Sequence, residues 1–461
     1  MQGEFHADHL FTPAGWSRQA RLRVEHGRIA APAADTSESG GHPGRFVLPG
    51  MPNLHSHAFQ RAMAGLAERR GSSSARDSFW TWREAMYSFA SAIDPDDLRA
   101  IAAQLYVEML KAGYTHVCEF HYLHHAPDGK PYADPAVMSL AIVEAAKEAG
   151  IGLTLLPVLY MTGGFDGRPL GERQRRFGMD VESYLRVLGT LRALESPMLR
   201  VGVALHSLRA VPEYALREVL ASPLARGGMI HIHIAEQTGE VEECVAMRGA
   251  RPVRWLFDHA DVDARWCLVH ATHLDAGEMA AIAKSGAVAG LCPTTEANLG
   301  DGLFPLAGYL DANGALGIGS DSHISVSPVE ELRWLEYGQR LITRQRNIAA
   351  RAAGASVGEI LWQAALRGGA QASGIAPFGE GARADLLVLD DQSPLLAARD
   401  ESNVLDSFIF AGNVPLVRDV MVNGEWIVRD SRHRDEEGIA MRYRDCVERI
   451  TRYRDSKLRS P

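Results

Sequence analysis

Four short stretches of the 461-residue chain carry side chains whose types and spacing suit the binding of a metal ion. They are His55-Ser56-His57, Ile230-His231-Ile232-His233-Ile234-Ala235-Glu236, Val269-His270 and Gly319-Ser320-Asp321. Several neutral imidazoles with one carboxylate are what a catalytic zinc ion, or a similar borderline metal, takes from a protein, leaving one coordination position for water. The chemistry implied is metal-dependent hydrolysis. His55-x-His57 alone is weak evidence, because such pairs also arise incidentally. On a strand, however, alternate residues project to one side, so both rings can chelate a single ion. His231 and His233 share that spacing; His233, nearer the strand end, is the expected ligand, and His231 is expected behind it or in the core. Asp321 is expected to ligate the metal and to take a proton from water, its alternative being an Asx turn. Glu236 is positioned to shuttle a proton, unless it only caps a helix or forms an ion pair. His270 can ligate, polarise the substrate or fill the core. The polarising role is preferred, because a cation with four protein ligands and a water is already full.

Each of these stretches closes an apolar, strand-like run, and eight such runs recur: Phe46 to Leu54, Thr115 to Phe120, Gly152 to Leu159, Arg200 to Leu205, Met229 to Ile234, Trp266 to Val269, Ala287 to Leu291 and Leu316 to Gly319. Helical segments separate most of them. Asp94-Pro95 opens Asp96 to Lys111, which Gly113 closes, and Asp134-Pro135 opens Ala136 to Ala149, which Gly150 closes. Eight strand-then-helix units predict an α/β fold, a (β/α)₈ TIM-like barrel. Barrel enzymes build their sites at the C-terminal strand ends, and six of the eight runs end in polar residues: His55 and His57, His121 and Tyr122, His206, His233, His270, Asp321.

Outside the barrel both chain ends read as β structure, with Ala20 to Glu25, Gly381 to Asp390 and Val417 to Val428 as strands, and a small β-sandwich formed by the two ends is expected. The boundaries expected are 1–47 for the N-terminal part of the sandwich, 48–375 for the catalytic barrel, 376–430 for the C-terminal part and 431–461 for a charged tail, read as a solvated helix. Thr36 to Gly44, rich in Gly and Ser, is expected to be a loop. A dinuclear site of this layout would want a bridging lysine at the end of strand four. The lysines are Lys111, Lys130, Lys147, Lys284 and Lys457, so one divalent metal per chain is expected, zinc or alternatively iron.

Composition bounds the partners. A formal charge of −9 argues against nucleic acid and anionic membranes, both of which need a basic surface. Five scattered cysteines with no Cys-x-x-Cys pair indicate a reducing compartment, and the sequence from Met1 carries no basic-then-apolar leader, so the expectation is a cytoplasmic protein. A homodimer is expected on symmetry grounds alone.

The order His-x-His, His, His, Asp over eight strands resembles the amidohydrolase superfamily, in its mononuclear aminohydrolase branch, and the likeness covers essentially the whole chain. More narrowly, Asn53 to Met63, Phe79-Trp80-Thr81-Trp82-Arg83, Glu119 to Tyr122, His206-Ser207-Leu208-Arg209 and Cys292 to Gly302 resemble the formimidoylglutamate deiminases. The resemblance implies deimination of N-formimidoyl-L-glutamate to N-formyl-L-glutamate and ammonia, a step of histidine degradation. It implies metal ligation by His55, His57, His233 and Asp321 and catalysis by Glu236, His270 and Asp321. Arg83 and Arg209, each of which could by itself be a surface arginine, become partners of two substrate carboxylates, since guanidinium forks match carboxylates. Gln60, Tyr122 and His206 are implied to bind substrate as well. The competing readings are an aminohydrolase of a cyclic substrate (guanine, a pterin or an adenosine derivative), against which Thr295-Glu296 stands where purine and triazine relatives carry Ser-Asn, and a non-catalytic scaffold of the same fold.

Overall fold

Eight parallel strands close into a barrel: Met51–Ser56, Tyr114–His121, Gly152–Leu159, Val203–Ser207, Ile230–Ile234, Trp266–His270, Val288–Leu291 and Ala315–Ile318. The computed structural model describes residues 3–30, 41–69 and 79–458. The strands are apolar on both faces because side chains fill the barrel on one side and helices cover the other. Helix ends follow their sequence signals. Pro95–Ala112 starts on a capping box of Asp94 and Asp97 and stops at Gly113, whose φ of 108° is a left-handed conformation that suits glycine. The last strand does not pair with the first along its length. The seam closes just beyond both strands, where Asp321 N–H donates to the His55 carbonyl (3.0 Å) and His57 N–H to the Asp321 carbonyl (3.1 Å).

Two expected strands are each divided. The run Phe46 to Leu54 is split between Gly41–Pro49, in the flanking sheet, and Met51–Ser56, in the barrel. Gly50 is the break: a Cβ there would lie 2.2 Å from Thr115 Oγ1, so only glycine lets the chain pass from one sheet to the other. Likewise Arg200 to Leu205 is split into Leu199–Val201 and Val203–Ser207. An unbroken apolar run does not reveal such a change of sheet.

The chain ends form one eight-stranded sheet, in which Gly3–Thr12, Gly15–Glu25, Arg28–Ala30 and Gly41–Pro49 join Leu386–Leu389, Val417–Val422, Glu425–Arg429 and Arg432–His433. The expected sandwich is this sheet curled over its own core of Leu10, Val24, Val47, Leu386, Val388 and Met421. Its edge returns on itself through Ile29 N–H to Ala382 O (2.9 Å) and Ala384 N–H to Gly27 O (2.8 Å). Of the loop expected over Thr36 to Gly44, residues 36–40 lie outside the described residues, while 41–44 belong to a strand that pairs with Gly3–Thr12.

The charged tail forms the helix Glu436–Leu458, but it is not simply solvated. Ile439, Cys446 and Ile450 are buried against Pro95–Ala112, Lys111 pairs with Glu436 (2.9 Å) and Arg449 with the buried Asp97. That apolar stripe, at spacings of seven and four, is sparse among charges and was hidden by them. No described helix is long and apolar enough to cross a membrane.

Candidate active site

His55, at the end of the first barrel strand, and His57, one residue past it, lie on the same side and meet His233 from the fifth strand. His55 Nε2 lies 3.2 Å from His57 Nε2 and 2.9 Å from His233 Nε2, and Asp321 Oδ1 stands 3.3 Å from His57 Nε2 and 3.5 Å from His55 Nε2. The outer nitrogens fix the tautomers. His57 Nδ1 faces the Phe120 carbonyl (2.8 Å) and His233 Nδ1 the His206 carbonyl (2.9 Å); a carbonyl only accepts, so both Nδ1 atoms carry the hydrogen and both Nε2 lone pairs point inward. Burial pushes all three imidazoles below the ordinary histidine range, which keeps them neutral. Lone pairs facing one another cannot hydrogen-bond; a cation between them satisfies them together. Two nitrogens bound to one tetrahedral zinc sit about 3.3 Å apart, close to the separations found, so the donor set fits a divalent metal.

A buried frame holds these side chains. Asn53 Nδ2 donates to Ser320 Oγ (2.7 Å) and Ser320 N–H to Asn53 Oδ1 (3.1 Å), tying the first strand to the turn that carries Asp321. Gly319 lets that turn approach, since a Cβ there would meet the His55 backbone at 2.8 Å. Glu119 accepts from Ser56 Oγ (2.5 Å), Ala58 N–H (2.7 Å) and Tyr106 OH (3.1 Å), bracketing His57. Its complete burial pushes its carboxyl up to about 7. His323 accepts from His57 N–H (3.2 Å). His270 and Asp321 hold left-handed backbone, with φ of 68° and 44°. Strained residues of this kind persist where the surroundings over-determine them, and they cluster at functional sites.

His270, at the end of the sixth strand, sits among carboxylates, with Glu296 3.3 Å from Nδ1 and Glu236 and Asp321 3.7 and 3.9 Å from Nε2. Burial alone would lower its pKa, but Glu236, Glu296 and Asp321 outweigh burial and hold it well above the ordinary range. Burial pushes Glu236 upward. Asp301 is raised by burial and by Glu236, and its Oδ1 accepts from Gln237. Sequence reading missed Glu119, Glu296 and Asp301 as parts of the site. The available signals were an acid inside the apolar run Tyr114–His121 and the acids within Cys292 to Gly302.

A cavity of about 560 Å³ opens above these groups. His57, His233, Glu236, His270 and Asp321 form its floor, with His55 fully buried beneath. Gln60, Tyr122, His206, Arg209 and, from the helix Phe79–Ala90, Arg83 form its walls, so the residues singled out in sequence converge on one place. Gln60 Nε2 donates to Tyr122 OH (2.8 Å), and Tyr160 OH accepts from Gln174 (2.9 Å). Burial keeps His206 neutral. Arg209 is 9% exposed, and Glu240 and Glu236 outweigh burial to hold its charge. Two other histidines from the strand runs stand apart. His121 is buried beside His124, and His231 donates Nε2–H to the Ala372 carbonyl (2.9 Å) in the core.

Residues 46–427 match the amidohydrolase family. The chain is 55% identical over 437 residues to the formimidoylglutamate deiminase of Pseudomonas aeruginosa, covering 94% of this chain and 96% of that protein. The crystal structure of an amidohydrolase from Brucella melitensis superposes with a TM-score of 0.91 at 45% identity, over 98% of this chain and 100% of that one. An adenosine deaminase from Xanthomonas campestris, solved with bound zinc, shares the fold with a TM-score of 0.79 at 21% identity, over 97% and 98% of the two chains.

Proposed function

This chain belongs to the amidohydrolase family, a metal-dependent family, and on that premise we propose that it hydrolyses N-formimidoyl-L-glutamate to N-formyl-L-glutamate and ammonia. The observation that carries the reading is the pair of arginines, Arg83 and Arg209, on the wall of a cavity whose floor is the histidine–aspartate cluster. A substrate with two carboxylates and one reactive carbon is anchored by the wall and presents that carbon to the floor. His55, His57, His233 and Asp321 hold one divalent cation, zinc by preference over iron. That cation supplies the Lewis acidity that brings the pKa of water toward about 7.

The remaining steps belong to the chain's own groups. Asp321 accepts a proton from the attacking water. His270, kept protonated by its carboxylate neighbours, lies beside the carbon where tetrahedral negative charge develops and stabilises it. Glu236, whose raised pKa lets it carry a proton near neutrality, delivers that proton to the departing nitrogen; the proton taken by Asp321 supplies the second, the C–N bond breaks to release ammonia, and the new hydroxyl gives its proton back to Glu236 as the carbonyl forms. Gln60, Tyr122 and His206 donate or accept hydrogen bonds along the glutamate chain.

The reading includes a homodimer in the cytoplasm. Five cysteines, all free and all buried, support a reducing compartment, and the exposed stripe Trp334, Tyr337, Leu341 and Ile342 on Pro328–Thr343 supports self-association. The test is ammonia release from formimidoylglutamate beside formimidoylaspartate, guanine and adenosine, with and without chelator. Chelator-sensitive release from formimidoylglutamate above all others is expected. Preference for a cyclic substrate selects the rival aminohydrolase reading, and no release from any of them selects the scaffold.

A further inference from the structure

A second cavity, of about 1050 Å³, lies at the opposite end of the barrel, where the flanking sheet covers the N-terminal ends of the barrel strands. Pro52 of the first strand and Thr115 of the second form its floor, and Leu366 and Phe378 add apolar wall. Four guanidinium groups frame it: Arg28, Arg200, Arg367 and Arg383. The one carboxylate in its lining, Asp385, is engaged by Arg383, whose Nε donates to both its oxygens at 2.9 Å. Among the described residues, no carboxylate lies within ion-pair range of Arg28, Arg200 or Arg367; Arg28 donates only to the Gly381 carbonyl (2.8 Å). Arg383 Nη1 is buried with no hydrogen-bond partner, while its Nη2 donates to Nδ1 of the buried His116 (3.2 Å). After burial, Arg383 and Arg200 are the groups that keep His116 uncharged, which sets both guanidiniums at the same wall.

On a chain of net charge −9, four cations against one carboxylate, which Arg383 engages, leave a local excess of three positive charges at an apolar cavity. Arginine forks recognise planar or tetrahedral oxyanions, and the proline and phenylalanine surface suits an apolar body. We propose that this cavity is a binding site for an organic anion, with a carboxylate or phosphate head among the arginines and an apolar body against Pro52, Leu366 and Phe378. It is separate from the candidate active site, since the two cavities share no lining residue.

The experiment is fluorescence titration of the metal-loaded full chain with anilinonaphthalene sulfonate, an aromatic anion, with phenyl phosphate and octanoate as competitors. Saturable binding at one site is expected. Displacement by phenyl phosphate assigns a phosphate head and displacement by octanoate a carboxylate head; either supports the site. Paired Arg200→Glu and Arg367→Glu substitution weakens the dye at least about tenfold, and the pair Arg200→Gln with Arg367→Gln weakens it less, which keeps the test readable if the charge-reversed protein does not fold. Arg209→Gln leaves dye affinity unchanged. The proposal is overturned by absence of saturable binding, by displacement with neither competitor, by unchanged affinity in the Gln pair, or by loss of affinity in Arg209→Gln.

Discussion

His55 and Asp321 are joined twice: Asp321 N–H donates to the His55 carbonyl at 3.0 Å, and their side chains face each other with Asp321 Oδ1 3.5 Å from His55 Nε2. The first contact closes the barrel seam and the second forms half of the candidate metal cluster. Three of the four residues proposed to bind the cation, His55, His57 and Asp321, therefore also close the barrel, and occupancy of the cluster is expected to couple to the integrity of the fold.

Removal of the metal is expected to lower stability as well as abolish activity. A ligand that binds only the folded chain stabilises it by RT ln(1 + [L]/Kd), about 2.7 kcal/mol at a hundredfold excess over Kd. Thermal unfolding of chelated and zinc-restored protein checks this: the restored form melts higher, and equal melting temperatures would refute the coupling.

Glu236→Gln keeps the shape of the side chain and removes the proton it is proposed to deliver. The expected outcome is a fall in kcat of about 10²- to 10⁴-fold with metal content unchanged. Steady-state kinetics beside metal analysis decides it, and a metal-replete variant of normal kcat removes Glu236 from the mechanism.

Arg83→Gln and Arg209→Gln each delete one guanidinium proposed to meet a substrate carboxylate. Charge-assisted bonds of this kind contribute about 1.5–3 kcal/mol, so kcat/KM falls roughly 10- to 150-fold in each variant, mostly through KM. Substrate with one carboxylate amidated should lose little further affinity in the matching variant; equal losses with both amidated forms would argue against the assignment.

His124 contributes to the acid side of the stability profile. Buried, with Nε2–H donated to the Val158 carbonyl (3.0 Å), it has a pKa lowered by burial from 6.5 to about 4. The unfolded chain therefore takes up this proton at higher pH than the folded chain. Its contribution is fully present above about pH 6.5 and is lost as pH falls from there to about 4, an amplitude of about 3 kcal/mol. Urea unfolding at about pH 7 and about pH 4.5 should show a smaller acid loss in His124→Gln than in the unaltered chain; an identical loss contradicts this.

Much of the site was legible because its chemistry obeys local rules. His55 and His57 alternate along one strand, and His233, His270 and Asp321 stand where apolar runs end, so strand periodicity and barrel topology suffice to bring them together. What escaped depends on pairings between distant positions. Glu119 reads as an anomaly in an apolar run until Ser56, 63 positions away, is seen to donate to it. Gly50 interrupts no hydrophobic pattern, yet its contact with Thr115 moves the chain from one sheet to another. The left-handed backbone of His270 and Asp321 is announced by neither residue type.

The most direct test is a zinc titration of the chelated chain, following ammonia release from formimidoylglutamate at each addition. Activity is predicted to rise linearly and to break at one equivalent of zinc per chain. Activity that ignores zinc, or that breaks only at two equivalents, would contradict a single cation held by His55, His57, His233 and Asp321.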